Sequence, residues 1–125
     1  MIFNYNKLVR DRIVQNIQRK GHNATYSILN DKQYFEELNK KLIEEVNEFI
    51  EASNEEENEL KKEHCEEEMS DIMEVLETII KQKGMSLERI QAIKEKKKQK
   101  AGSFNDRIYL ISVEEKDKDI EQEER

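Results

Sequence analysis

Two stretches of this sequence repeat apolar residues at helical spacing over many turns, and each interrupts its own apolar stripe with carboxylates. From Asp31 to about Ala52 the series Leu38, Leu42, Val46, Phe49 predicts a long amphipathic helix, and a second runs to Gly84 after an acidic stretch around residues 54–58. With Leu38 as origin and about 100° per residue, Leu42 falls near +40°, Phe49 near +20°, Glu45 near −20° and Glu48 near −80°. On the second stretch, with Ile72 as origin, Leu76 lies at about +40°, Ile79 about −20°, Val75 about −60°, Glu68 about −40° and Asp71 about −100°. Glu45 and Glu68 therefore point into apolar stripes. An ionised carboxylate in a core costs several kcal/mol unless a charge or a metal compensates it, so two such acids on neighbouring helices call for a cation.

Composition agrees with a mainly α fold. The chain has no proline, only three glycines and an abundance of Glu, Lys, Leu and Ile. With 125 residues, 35% hydrophobic and 41% charged, it has the length of one domain and a small core, so a second subunit is expected to complete the bundle. Cys65, the single cysteine, can make no internal disulfide, and no stretch reads as a signal peptide or spanning helix. The default location is the cytoplasm, with no membrane partner. A net charge of −7 argues against general binding to a nucleic-acid backbone, though local basic clusters can still hold a phosphate.

The flanking segments are shorter. "YNKLVRDRIVQNIQRKG" offers Asn6 as an N-cap, Leu8, Val9, Ile13 and Ile17 at helical spacing, and Gly21 as a stop. "ATYSILN" reads as one brief strand before Asp31 opens the next helix. Ser86 caps a last helix ending at Gly102, with lysines in its final turns where they suit the helix dipole. "DRIYLISV" reads as another peripheral strand. The domain is expected over 1–113, with 114–125 a charged tail holding too little apolar surface to stay folded.

Spacing narrows the kind of cation. Glu45-x-x-Glu48 and Glu68-x-x-Asp71 each set two carboxylates one turn apart, and antiparallel packing can bring all four together. Four oxygen ligands without histidine or thiolate suit Mg²⁺ or Mn²⁺, ions that usually keep waters and take phosphate oxygens as further ligands. In a chain with 29 acidic residues one such pair arises readily by chance, usually on a solvated face. Two pairs on consecutive helices, each breaking its own stripe, favour the metal. His22 and His64 stand apart from any metal-like spacing and read as surface residues.

"EEVNE" followed by "EEMSD" resembles the EExxE and ExxD signature of the all-α nucleoside triphosphate pyrophosphatases, the superfamily of MazG proteins, phosphoribosyl-ATP pyrophosphohydrolases and dimeric dUTPases. "YNKLVRDRI" and "KAGSFNDRIYL" resemble the ends of a short, single-domain, MazG-like subgroup with house-cleaning roles, so the similarity covers about residues 4 to 112. Val14 departs from the proline expected there. The resemblance implies that Glu45, Glu48, Glu68 and Asp71 hold the metal, and that a nucleotide is hydrolysed between its α and β phosphates. Glu44 or Glu45 would orient or deprotonate the water. Glu44, at about −120° on its wheel, could instead hold Lys41 or face solvent.

Basic residues fall into two groups. Lys7, Arg10 and Arg12 are expected in the first helix, and Lys94, Lys96, Lys97, Lys98, Lys100 and Arg107 near the end of the last helix. Lys7, Arg10, Lys98, Lys100 and Arg107 are the candidates for binding substrate phosphates, although Arg10 and Asp11 have the alternative of an ion pair between the chain ends. The lysine run also has the plain reading of a solvated helix terminus. Phe104 or Tyr109 could stack on a base or pin the C-terminal segment. The resemblance favours a nucleoside triphosphate over phosphoribosyl-ATP. The rivals are a non-catalytic helical interaction protein and a nucleic-acid binder using "KEKKKQK".

Overall fold

A computed structural model describes residues 1–116, and these form four helices: α1 (Ile13–Arg19), α2 (Asp31–Ser53), α3 (Glu59–Gln82) and α4 (Leu87–Ala101). The expected charged tail falls, from residue 117 onward, outside the described residues. Contacts divide the chain into two units, 1–90 and 91–125. No helix among the described residues is long and apolar enough to cross a membrane.

Local signals set the helix ends. The Asn30 side chain accepts from the Gln33 amide at 2.9 Å while Gln33 reaches back to the Asn30 amide, a capping box that starts α2 one residue earlier than a cap at Asp31 would. Asn58 caps α3 through the Lys61 amide, also at 2.9 Å. Gly84 adopts φ of 67°, a conformation that favours glycine, and its amide bonds to Lys81 O while the Met85 amide bonds to Ile80 O. That pattern closes α3 and turns the chain toward α4, where Ser86 Oγ accepts from the Arg89 amide at 3.2 Å.

α2 and α3 form the body of the first unit. Phe35 near the start of α2 meets Lys83 just beyond α3 at 5.3 Å, and Glu45 midway along α2 lies with Glu68 and Asp71 of α3, so the two run antiparallel. The apolar core between them is small: among the described residues Leu38, Ala52 and Val75 are the buried apolar ones, and Glu45 is buried with them at 5% exposure. On α3 the inward side is centred on Val75 rather than Leu76, which is 41% exposed. The side facing α2 therefore includes Glu68 and Asp71, and Asp71 is less peripheral than a stripe drawn through Leu76 suggests.

A second apolar face points away from the contact. It consists of Ile43, Val46 and Ile50 on α2, and Met69, Met73 and Leu76 on α3, all exposed. On the wheels these residues lie about 100–160° in the same rotational sense from each helix's buried centre. Because the helices are antiparallel, equal rotations turn both sets to one side of the hairpin. Glu44, Glu48 and Asp71 are rotated the other way, so the acids and the apolar face occupy opposite sides.

Three expectations fail. The strands "ATYSILN" and "DRIYLISV" are absent, since no strand occurs among the described residues. Both segments lack a ladder partner, and isolated extended chain is not a stable strand; Ile28, Ile108 and Ile111 are almost fully exposed. The first helix starts at Ile13 instead of just after Asn6, which takes a left-handed φ of 48°. Residues 7–12 instead run irregularly, with Lys7 and Arg10 paired to acids on α2 and α3. Arg10 thus pairs with Asp71 on α3.

With so few buried side chains, each should matter. Leu38→Ala should cost about 2–5 kcal/mol and Asn30→Ala about 1 kcal/mol, read from urea midpoints at constant slope. Equal losses for the two would contradict the placement of Leu38 in the core.

Candidate metal centre

α2 and α3 bring five carboxylates into two overlapping groups. Glu44, Glu45 and Glu48 form one, and Glu45, Glu68 and Asp71 the other; within each, the candidate ligand oxygens lie within 4.8 Å of one another. Glu45 belongs to both. The four acids singled out by spacing are thus neighbours, and Glu44 joins them rather than facing away.

Four of the five acids, Glu44, Glu45, Glu68 and Asp71, meet a basic side chain among the described residues. Lys41, one turn before Glu45 on α2, places Nζ 3.1 Å from Glu45 Oε1 and 3.5 Å from Glu44 Oε1. Lys7 reaches Glu44 Oε1 at 3.4 Å, and Arg10 Nη2 lies 2.8 Å from Asp71 Oδ1. His64, one turn before Glu68 on α3, sets Nε2 3.3 Å from Glu68 Oε1 and Nδ1 2.7 Å from Glu55 Oε1. Glu45 Oε2 and Glu68 Oε2 are buried and have no hydrogen-bond partner among the described residues.

Those two oxygens test the fit of a divalent ion. A buried acceptor left unsatisfied costs about 1–3 kcal/mol, more when charged, and native folds avoid it unless something binds there. Among the described residues these five carboxylates pair with three permanent cations, Lys7, Arg10 and Lys41, which leaves two negative charges. An all-oxygen donor set with an excess of two negative charges fits Mg²⁺ or Mn²⁺ and does not favour zinc or copper.

Protonation equilibria report the same crowding. Burial holds the Glu45 carboxyl above the usual carboxylate range, and the Lys41 hydrogen bond only partly offsets it. Glu48 is pushed up too, first by burial and then by the Glu68 carboxyl beside it. Burial would lower the Lys41 ammonium, but its hydrogen bond to Glu45 and the charges of Glu44 and Glu45 outweigh that and raise it. His64 is raised above the usual imidazole value chiefly by its bond to Glu55.

Other sequence candidates are located less tightly. Lys98 and Lys100 lie in the last turn of α4 and Arg107 follows it at φ of 60°; all three are exposed in the second unit. Phe104 and Tyr109 are 98% and 88% exposed, so neither pins the segment to a core. His64, read from sequence as a plain surface residue, is half-exposed but sits between two acids. Its sequence signal was the four-residue step to Glu68, which stacks the two on one helix face.

The phosphoribosyl-ATP pyrophosphohydrolase (PRA-PH) family model matches residues 9–98, a span that contains all five acids and Arg10. No curated protein and no solved structure matches the chain. The chain belongs to the phosphoribosyl-ATP pyrophosphohydrolase family, within the MazG-like all-α pyrophosphatase superfamily. Its family is one of hydrolases acting on acid anhydrides.

The raised carboxyls give a pH dependence with a defined sign. An acid whose pKa is higher in the fold than in the unfolded chain stabilises the fold fully below about pH 4.3, the ordinary glutamate value, and that contribution is lost as pH rises through the folded pKa. In EDTA, Glu48→Gln should therefore gain on the parent as pH climbs from about 4 to about 7, measured by urea midpoints. A difference that does not vary with pH would contradict the crowding.

Proposed function

We propose that this protein is a Mg²⁺-dependent nucleoside triphosphate pyrophosphohydrolase, cleaving between the α and β phosphates to release a monophosphate and pyrophosphate in nucleotide-pool house-cleaning. The observation that carries this reading is the pair of buried, unpartnered oxygens, Glu45 Oε2 and Glu68 Oε2, on facing helices. Glu45, Glu48, Glu68 and Asp71 are the proposed ligands, with Mn²⁺ able to substitute. When bound, the ion supplies charge against phosphate oxygens and makes a water more acidic.

The chain's own groups do the rest. Glu44 or Glu45 orients the attacking water and takes its proton. Lys7 and Arg10, on the irregular N-terminal segment, bring positive charge beside Glu44 and Asp71, where a triphosphate held by the same acids' ion would lie. Lys98, Lys100 and Arg107 are proposed as further phosphate contacts on sequence grounds. The cytoplasm, where nucleotide pools lie, is the proposed location.

A second reading has its own support. The matching family model is described by phosphoribosyl-ATP, whose triphosphate offers the same α–β anhydride. The "KLVRDRI" resemblance favours a nucleoside triphosphate instead. Pyrophosphate release with Mg²⁺ across canonical and damaged triphosphates and phosphoribosyl-ATP separates the two.

Oligomerisation is part of the proposal. The exposed face of Ile43, Val46, Ile50, Met69, Met73 and Leu76 is too apolar and continuous for a solvated helix hairpin. A second copy, as a homodimer or a tetramer of dimers, would cover it. Light scattering at micromolar concentration should give a dimer or tetramer, and Met73→Lys should shift it toward monomer; a monomeric parent would contradict this.

Glu68→Gln sets stability against activity. In EDTA the variant should melt higher than the parent, because a buried charge is removed while the shape is kept. With Mg²⁺ its hydrolysis should fall by more than the ~10–100-fold that loss of an outer partner of a metal ligand costs. Asp71→Asn should behave the same way with a smaller gain in melting. Full activity in Glu68→Gln would end the catalytic reading.

A further inference from the structure

We propose that His64 is a positioning residue of the metal centre: anchored by Glu55 through Nδ1, it holds Glu68 through Nε2 so that the second oxygen of Glu68 faces Glu45 and Asp71. The inference rests on the metal-site reading above and adds a residue that touches neither metal nor substrate.

The geometry is that of a relay from loop to ligand. Glu55 follows the C-cap of α2, with its own amide bonded to Ala52 O at 3.2 Å. Its carboxylate meets His64 Nδ1 at 2.7 Å, and His64 Nε2 lies 3.3 Å from Glu68 Oε1. With one oxygen of Glu68 engaged in this way, the other, Oε2, is left buried and without a hydrogen-bond partner among the described residues, and Glu68 also offers an oxygen to the group with Glu45 and Asp71. A glutamate side chain with three rotatable bonds rarely holds one orientation unless something fixes it, and metal ligands are commonly fixed by such outer partners.

Two other roles fit less well. His64 belongs to neither acid group, and both ring nitrogens face carboxylate oxygens, so it is not itself a ligand. A purely structural ion pair is a poor explanation, because His64 and Glu55 are 42% and 47% exposed and solvated pairs of this kind contribute little to stability. What the arrangement controls is the direction of Glu68.

The test is Mn²⁺ binding by the full chain without nucleotide, read from the electron paramagnetic resonance signal of the free ion, with melting and steady-state kinetics alongside. His64→Ala should weaken Mn²⁺ binding by about tenfold or more with a melting shift under about 3 °C. His64→Gln, whose amide can present an N–H near the position of Nε2, should recover binding to within about threefold of the parent. Glu55→Gln should weaken it by a few-fold, and its effect should shrink in the His64→Ala background. Parent-like Mn²⁺ binding in His64→Ala would overturn the role, and so would equal losses in His64→Ala and His64→Gln. If His64→Ala fails to fold, Glu55→Gln decides, and unchanged binding there overturns it. The two readings fail differently: Glu68→Gln binding Mn²⁺ like the parent removes the metal site itself, whereas Glu68→Gln losing binding while His64→Ala keeps it removes only the positioning role.

Discussion

The fold is organised around a carboxylate that it should not bury. Glu45 sits at 5% exposure between α2 and α3, in line with Leu38 and Ala52. A buried charge left without a partner costs about 3–5 kcal/mol, comparable to the whole stability of a small domain. Lys41 offsets one oxygen from the same helix, and the N-terminal segment gives up its expected helical start to bring Lys7 and Arg10 to the neighbouring acids. Even so, Glu45 Oε2 and Glu68 Oε2 remain unsatisfied. A helix pair that needed only stability would carry leucine at these positions.

The hairpin is two-sided as a consequence. The acids and their cations take one side, while Met69, Met73, Leu76, Ile43, Val46 and Ile50 take the other. Three small or medium apolar side chains between the helices are a thin core, so the second apolar face and the proposed metal carry complementary parts of one problem. On the proposed reading, a second copy covers the apolar side and a divalent ion neutralises the acidic side. The positions that bind substrate are then those that weaken the isolated chain, a common trade at functional sites.

Much of this was legible in the sequence because helical periodicity is regular over more than twenty residues in each of α2 and α3. The wheel put Glu45 and Glu68 inside their stripes, and the structure brings both to the helix contact. Gly84 marked the end of α3, where it takes the left-handed φ that glycine allows. The strands were misread since alternation in "ATYSILN" and "DRIYLISV" speaks only to local preference, whereas a strand exists by pairing with another. Position along the wheel also misjudged Leu76, because a helix with two apolar faces does not reveal which one meets its neighbour. The surroundings of His64 are hidden for a related reason: its partners Glu55 and Glu68 are brought to it by the loop and the helix turn, and histidine spacing alone does not show a ring set between two acids.

The central claim is that these acids converge in order to hold a divalent cation. Anomalous scattering from crystals grown with Mn²⁺ tests it directly. A peak within coordination distance of Glu45 Oε2 and Glu68 Oε2, with Glu48 and Asp71 around it, is the expected result. Well-ordered side chains at all four positions with no peak between them, at millimolar Mn²⁺, would contradict it.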